Sequence, residues 1–188
     1  WVFLVERVTR VTRNNHSVYA YKERSNIGLL ASAAVSNGWV ALEECRSEKY
    51  VSEESDEVYK GRADLLIWRD QRHHELEAKF VRISLTSAGT TRLHKAYENA
   101  MADSFRSTPS KENSDKKIGL TFIAPILTDT QLENLDEEEI SEYLLGLIAY
   151  IENNFKPELL AYTFPQPIRA AGSKNKMALG IILVGKVT

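Results

Sequence analysis

The sequence predicts a single α/β domain with a central mixed sheet flanked by helices. Segments with helical periodicity alternate along the chain with segments of strand character, and residues 119–127 form an almost uninterrupted apolar strand. A continuously apolar strand is typical of a sheet that is covered on both faces. The 188 residues suffice for one domain with a sizeable core, and neither an internal repeat nor a linker divides 1–188.

The first quarter of the chain predicts two helices, a strand and a loop. Residues 3–13 place apolar side chains on one helical face, although β-branched residues weaken that pattern. A second helix is expected over residues 17–36, with a serine at its start that could cap it and Asn37-Gly38 as its stop signal. Residues 39–45 have strand character, and the acidic, serine-rich segment 47–56 is expected to be a loop or a long hairpin connection.

Two short strands that follow carry the most distinctive pattern of the chain. Residues 61–68 and 75–80 are expected to pair as a hairpin around a short polar turn that holds two histidines. Because side chains alternate between faces with a period of two, Asp64 then comes beside Glu77, and Lys79 shares the face of Glu77. The hairpin is therefore expected to bring two carboxylates and one ammonium group together.

The second half of the chain alternates helices with strands. We expect a helix over residues 90–105, a loop over 106–117 and an apolar strand over 118–127. A capping-box pattern precedes the best amphipathic helix, and two strands close the chain. The features behind these expectations are the apolar stripe Leu93, Tyr97, Ala100 and Phe105, the capping pair Asp136 and Glu139, and the final strands 159–164 and 177–187.

Composition limits the classes of function. The formal net charge is -2, so any surface for nucleic acid must be a local basic one. Cys45 is the one cysteine, which excludes an intramolecular disulfide and is compatible with a reducing cytoplasm. The sequence contains no CxxC or HExxH pattern typical of zinc, its apolar runs are too short to span a bilayer, and we expect no signal peptide.

Asp64, Glu77 and Lys79 together are typical of a site for a hard cation. Carboxylate oxygens are the ligands that Mg²⁺ prefers, and a nearby ammonium group can handle a water or stabilise negative charge. The charged solvent face of an ordinary antiparallel hairpin is the alternative interpretation of the same pattern.

This stretch resembles the core of the PD-(D/E)XK nuclease superfamily, which has the restriction-endonuclease-like fold. Asp64 matches the aspartate of the first half-motif, with Ala63 in place of the proline, and Glu77-Ala78-Lys79 matches the acid-x-lysine half-motif. The predicted order of helix, three strands, helix and strand over residues 19–127 is also the order of the superfamily core, with the rest of the chain as an elaboration. The resemblance implies a nuclease that depends on Mg²⁺ or Mn²⁺.

The resemblance also implies the metal ligands and the catalytic groups. Asp64, Glu77, the backbone carbonyl of Ala78 and Glu23 would hold the metal, and Lys79 would position a water or stabilise charge. Glu23 is the expected third acid because the superfamily commonly places a glutamate on the helix before its first strand. A solvated acid, favoured by the helix dipole, is the alternative interpretation of Glu23.

Other side chains are expected near these ligands. Glu43 and Glu44, in the strand before the hairpin, compete for the role of third acid, and the sequence does not decide the competition. Glu75 and Arg62 each lie one pleat from a predicted ligand. We therefore expect Glu43, Glu75 and Arg62 around the metal ligands, with Arg62 able to clamp a phosphate or to pair with an acid.

Basic side chains on loops and at one helix start are candidates for phosphate contacts. They lie in the first turns of the helix over 90–105, around the loop over 106–117 and before the last strand. A solvated polar surface is the alternative interpretation of each set. The candidates are Arg92, Lys95, Lys111, Lys116 and Lys174.

The sequence thus predicts a cytoplasmic hydrolase that cleaves phosphodiester bonds of nucleic acid, with a DNA endonuclease as the expected activity. Nucleic acid is the expected partner and a membrane is not, and a homodimer would supply the two sites that cutting two strands needs. Two alternatives stay open: a non-catalytic nucleic-acid-binding or structural module that retains the fold, and an acid-lined metal site that acts on another substrate.

Overall fold

A computed structural model describes residues 1–13, 15–51, 57–86, 90–106 and 116–188 of the chain. The helices of these residues are α1 (Val2–Val11), α2 (Glu23–Ser36), α3 (Thr90–Arg106), α4 (Asp129–Asn134) and α5 (Glu137–Phe155), with a short 3₁₀ turn at Val18–Ala20. The strands are β1 (Val40–Tyr50), β2 (Val58–Arg69), β3 (Arg72–Ser84), β4 (Lys116–Thr128), β5 (Leu159–Thr163), β6 (Ile168–Arg169), β7 (Lys176–Ala178) and β8 (Ile181–Val187).

The strands join in one mixed sheet, which confirms the predicted α/β domain. β1, β2 and β3 form an antiparallel meander, and β3 pairs with β4 in parallel. Because a parallel pair needs a crossover connection, the chain passes through α3 between those two strands. β4 then pairs antiparallel with β8 along its first half and with β7 at its end. β5 pairs antiparallel with β8, and β6 pairs antiparallel with β7.

Helices cover both faces of this sheet, as the apolar sequence of β4 predicts. The core layer below α1 and α2 contains Val5, Ile27 and Leu76. The layer on the other face, below α3 and α5, contains Leu93 and Ile151. None of the described helices is long and apolar enough to cross a membrane.

Several predicted elements have the expected bounds. α3 and β4 each lie within a few residues of prediction, α2 ends before Asn37-Gly38 with Gly38 at φ +80°, and Asp136 and Glu139 form a capping box at the start of α5. In α3, however, Phe105 is 50% exposed, and its neighbour Ser104 is buried instead.

Two predicted bounds near the N-terminus are wrong. The predicted helix over 17–36 begins at Glu23, because Val18–Ala20 forms a separate buried 3₁₀ turn in which the Tyr19 hydroxyl donates to the Gln166 carbonyl at 2.7 Å. The predicted loop over 47–56 begins too early, because β1 continues to Tyr50 in register with β2; residues 52–56 lie outside the described part of the chain.

Two further bounds differ around the later strands. The hairpin turn consists of Asp70 and Gln71, with Asp70 at φ +57°, so both histidines of the predicted turn lie in β3. The predicted strand over 177–187 is divided into β7 and β8 at Gly180. A side chain there would collide with the Thr163 carbonyl oxygen, which would lie 2.3 Å from an added Cβ atom.

Candidate active site

The site forms where β2 and β3 separate. Their ladder runs from the pair Arg69 and Arg72 to the pair Leu65 and Leu76, and beyond it β2 pairs with β1 while β3 continues along β4. Strand edges expose backbone N–H and C=O groups that need partners. In this gap, acidic side chains act as the hydrogen-bond partners of the unpaired backbone groups.

Two carboxylates accept hydrogen bonds from the free edge of β3. Oδ2 of Asp64 accepts from the Ala78 N–H at 2.7 Å, and the Glu23 carboxylate, in the first turn of α2, accepts from the Phe80 N–H. The N–H and C=O of one strand residue point to the same side. The Ala78 carbonyl oxygen therefore faces the same gap as Asp64.

Glu77 is a buried acid with a buried cation beside it. Its Oε1 lies 2.5 Å from Nζ of Lys49, and the two residues are 3% and 8% exposed. Burial raises the pKa of Glu77 to about 7 in spite of Lys49, and the charge of Asp64 acts in the same direction as burial. The aliphatic part of Lys49 crosses Gly61 so closely that a Cβ atom there would lie 2.9 Å from Lys49 Cδ.

Lys79 pairs with an acid that the sequence does not predict. Its Nζ lies 2.6 Å from Oδ2 of Asp103 in α3, with each side chain 30% exposed, and Asp103 also lies 3.6 Å from Nη1 of Arg106. Burial lowers the pKa of Lys79, but the hydrogen bond and charge of Asp103, together with the charges of Asp64 and Glu23, raise it overall. Lys79 is therefore a stable cation rather than a ready proton acceptor.

Six side chains thus form one electrostatically coupled group, which we call the acid site. Burial is the main cause that raises the pKa of Glu23, and the charge of Asp64 adds to it while Lys79 opposes it. Within the described residues, Asp64 and Glu23 make no ion pair, so their charges are the least compensated in the group. The acid site consists of Glu23, Lys49, Asp64, Glu77, Lys79 and Asp103.

The donor set of the acid site is compatible with Mg²⁺ or Mn²⁺. Mg²⁺ in proteins keeps several waters and is usually bound through one or two carboxylates. Asp64, Glu77 and the Ala78 carbonyl offer such a set. Over the described ranges, however, the side chains include no group of three or more His, Cys, Asp or Glu that could hold a metal ion. A metal here would therefore depend on two carboxylates, backbone oxygen and water.

Three side chains expected around these ligands lie elsewhere. Glu43 is exposed beside Gly28 of α2, and Arg62 points to Glu44, with 3.6 Å between Nη1 of Arg62 and Oε2 of Glu44. Glu75 accepts a hydrogen bond from Ser47 instead of joining Glu77. Side chains one pleat apart on these strands thus meet different neighbours. Of the three candidates for the third acid, only Glu23 is in the acid site.

The predicted phosphate contacts are divided between several places. Arg92 and Lys174 meet in one groove, together with Arg82 and Lys176. Lys95 is exposed in the second turn of α3, outside that groove, and Lys116 is exposed at the opposite end of β4. Lys111 lies outside the described residues.

Sequence reasoning missed Lys49 and Asp103. Lys49 lies in the polar half of β1, where the side chains do not alternate between apolar and polar, so the strand itself is hard to recognise. Asp103 contacts Lys79 only because the crossover places α3 over β3. One signal was available: Asp103 follows Tyr97 and Ala100 at near-helical spacing, so it lies close to the buried stripe of α3.

No family of known proteins, no curated protein and no solved structure matches this chain.

Proposed function

We propose that the protein is a metal-dependent nuclease that hydrolyses phosphodiester bonds of nucleic acid, with DNA as the substrate and endonucleolytic cleavage as the mode. The observation that carries this proposal is the meeting of Asp64, Glu77, Lys79 and Glu23 at the gap between β2 and β3. The PD-(D/E)XK resemblance supports it, since Asp64, Glu77 and Lys79 match the motif and Glu23 matches the glutamate that the superfamily commonly places on the helix before its first strand. The order α2, β1, β2, β3, α3, β4 is also that of the superfamily core.

The acids are proposed to act as ligands. Asp64, Glu77 and the Ala78 carbonyl would hold Mg²⁺ or Mn²⁺, with Glu23 nearby. A bound metal ion lowers the pKa of a coordinated water and stabilises charge on a phosphoryl oxygen. To serve as a ligand, Glu77 would have to give up its ion pair with Lys49. Asp64, which makes no ion pair in the described part of the chain, is the more open ligand.

Lys79 is proposed to stabilise negative charge rather than to remove a proton. A general base must be neutral before it accepts a proton, and the surrounding acids keep the pKa of Lys79 above its ordinary value. A fixed cation in a half-buried site is suited to the charge that develops on a phosphate oxygen during hydrolysis. Asp103 acts through Lys79, because it holds the ammonium group from the side of α3.

One observation favours a second candidate function. Glu77 and Lys79, both motif residues, are each engaged in an ion pair within the protein, with Lys49 and Asp103 respectively. A non-catalytic module that uses these pairs only to hold the hairpin to α3 would have the same contacts. Such a module would bind nucleic acid without cleaving it.

The test is a cleavage assay on linear and circular duplex DNA, single-stranded DNA, branched DNA and RNA, with Mg²⁺ or Mn²⁺ and with EDTA as a control. The wild-type protein is compared with Lys79→Ala and with Lys60→Ala, a matched loss of an exposed lysine on β2. We expect cleavage that needs the metal and is lost in Lys79→Ala alone. Cleavage of no substrate would favour the non-catalytic module, and equal cleavage by both variants would contradict the role of Lys79 and of the acid site.

A further inference from the structure

A strongly basic groove lies at the far end of β3 from the hairpin turn. The segment between β6 and β7 lies against the end of β3 and the first turn of α3. Together they line an open groove of about 490 Å³. Among the residues that the structure describes, four cations and no carboxylate line it. We call this surface the basic groove; its cations are Arg82, Arg92, Lys174 and Lys176.

The positive charge of the groove is not neutralised by the described part of the protein. Arg92, Lys174 and Lys176 make no ion pair with any residue that the structure describes. The nearby acid Asp129 is already engaged, because Nη1 of Arg169 lies 2.7 and 2.8 Å from its two carboxylate oxygens. In a chain with a formal net charge of -2, such a concentration of free cations is a local feature.

The backbone around the groove is held in place by Arg82. Its guanidinium donates to the carbonyls of Ala20 at 2.7 Å and of Ala171 at 3.0 Å, which ties β3 to the 3₁₀ turn and to the groove wall. The Ala171 N–H also donates to the Ala20 carbonyl, at 2.7 Å. Nε of Arg82 is buried and has no hydrogen-bond partner among the described residues. The groove is therefore a formed surface rather than a loose set of lysines.

The groove lies close to the acid site along the same elements. Arg82 follows Lys79 by three residues on β3, a backbone separation of about 10 Å at the rise of a strand, and the odd spacing places the two side chains on opposite faces of the sheet. Arg92 precedes Asp103 by eleven residues on α3, which is about 16 Å at the rise of a helix. Phosphates of one strand of duplex DNA follow each other at about 3.4 Å along the axis, so these distances correspond to about three to five base pairs.

We propose that the basic groove binds backbone phosphates of duplex DNA, about three to five base pairs from the bond that is cleaved at the acid site. The inference rests on the proposed function for the position of the cleaved bond. Contacts of lysine and arginine with phosphates fix the position of a duplex without reading its sequence. The groove would therefore hold the DNA in register with the acid site and give affinity that depends on salt.

The test is binding of a fluorescein-labelled duplex of about 20 base pairs, measured by fluorescence anisotropy in EDTA between about 50 and 200 mM salt. The groove variant carries Arg92→Ala, Lys174→Ala and Lys176→Ala, while Arg82 is kept because it holds the backbone. The matched control, Arg7→Ala, Arg10→Ala and Lys60→Ala, removes three exposed cations from other surfaces. Thermal melting checks that both variants fold.

We expect the groove variant to lose affinity at least about tenfold, and the slope of log K against log salt to fall by about 2.7, or about 0.9 for each lost contact. The control should change affinity less than about threefold. Equal losses in both variants, or no binding by the wild type at the lowest salt, would overturn the inference. Because binding is measured without metal, a groove that binds DNA in a protein that never cleaves would refute the proposed function alone.

Discussion

The acid site and the basic groove both include residues of β3, but they differ in whether their charged side chains are paired within the protein. In the acid site, the charged side chains are half or fully buried, and two of them, Glu77 and Lys79, are each paired with an opposite charge within the protein. In the basic groove, Lys174 and Lys176 are exposed and make no ion pair with an acid in the described part of the chain.

Because of this difference, the acid site should matter to the stability of the fold, whereas the basic groove should matter to the binding of a charged ligand. Buried charges cost several kcal/mol each when they lose a partner, so the acid site is tied to the stability of the fold. Exposed charges contribute little to stability, but they remain available to a charged ligand. Substitutions in the acid site should therefore change the stability of the fold, and substitutions in the basic groove should change binding with little effect on stability.

The largest expected effect is on cleavage. Asp64→Asn keeps the shape of the side chain and an acceptor for the Ala78 N–H but removes a ligand charge. We expect metal-dependent cleavage to fall about a thousandfold or more, because a metal supplies several kcal/mol of transition-state stabilisation. Asp70→Asn in the exposed hairpin turn is the matched control and should cleave like the wild type. Full activity of Asp64→Asn would remove Asp64 from the site.

The next effect is on stability and depends on pH. The pKa of Glu77 is raised from 4.5 to about 7 by burial, so the folded state holds a proton that the unfolded state loses, and stability falls as the pH rises through this range. Lys49→Met removes the compensating cation and raises this pKa further. We expect the free energy of unfolding to fall by about 2 to 3 kcal/mol at pH 8 and by much less at pH 5.

Urea denaturation at the two pH values measures this difference. Lys60→Met, an exposed lysine on the neighbouring strand, is the control and should lose little at either pH. Equal destabilisation by Lys49→Met at pH 5 and pH 8 would mean that the aliphatic part of Lys49, rather than its charge, matters to the fold.

A smaller effect is expected at the edge of the acid site. Asp103→Asn removes the charge that contributes most to raising the pKa of Lys79. The pKa of Lys79 should fall, as followed by NMR of its ε-methylene group. The free energy of unfolding should fall by about 1 kcal/mol, because the pair is partly exposed. An unchanged titration of Lys79 would show that Asp103 is not its partner in solution.

The smallest effect on stability is expected in the basic groove. Arg92→Ala or Lys174→Ala should each change the free energy of unfolding by less than about 0.5 kcal/mol, because neither side chain makes an ion pair with a described residue. Denaturation in urea measures this. A loss of about 2 kcal/mol from either change would mean that the groove, like the acid site, is built into the fold.

The central part of the site could be predicted because it depends on local sequence. A tight turn fixes the register of β2 and β3, and the period of two then places Asp64 beside Glu77. Lys49 could not be predicted, since its half of β1 is polar and largely exposed and has no alternation of apolar and polar side chains. Its contact with Glu77 also joins β1 to β3, two strands that are not neighbours in the sheet.

The residues of the basic groove also could not be predicted to meet, because they come from elements far apart in the sequence. Arg92 and Lys174 were each predicted as phosphate contacts, but nothing in the sequence places them together. Their meeting depends on the crossover through α3 and on the hydrogen bonds of Arg82 to Ala20 and Ala171. Local periodicity predicts the elements of this fold well, whereas the positions of charges from different elements follow from packing.

Calorimetric titration of Mn²⁺ into the wild-type protein, Asp64→Asn and Asp70→Asn shows whether the acid site holds a divalent metal. We predict binding by the wild type and Asp70→Asn, and an affinity at least about tenfold weaker for Asp64→Asn, which would lose a ligand. An absence of binding by the wild type, or equal binding by Asp64→Asn, would contradict this prediction.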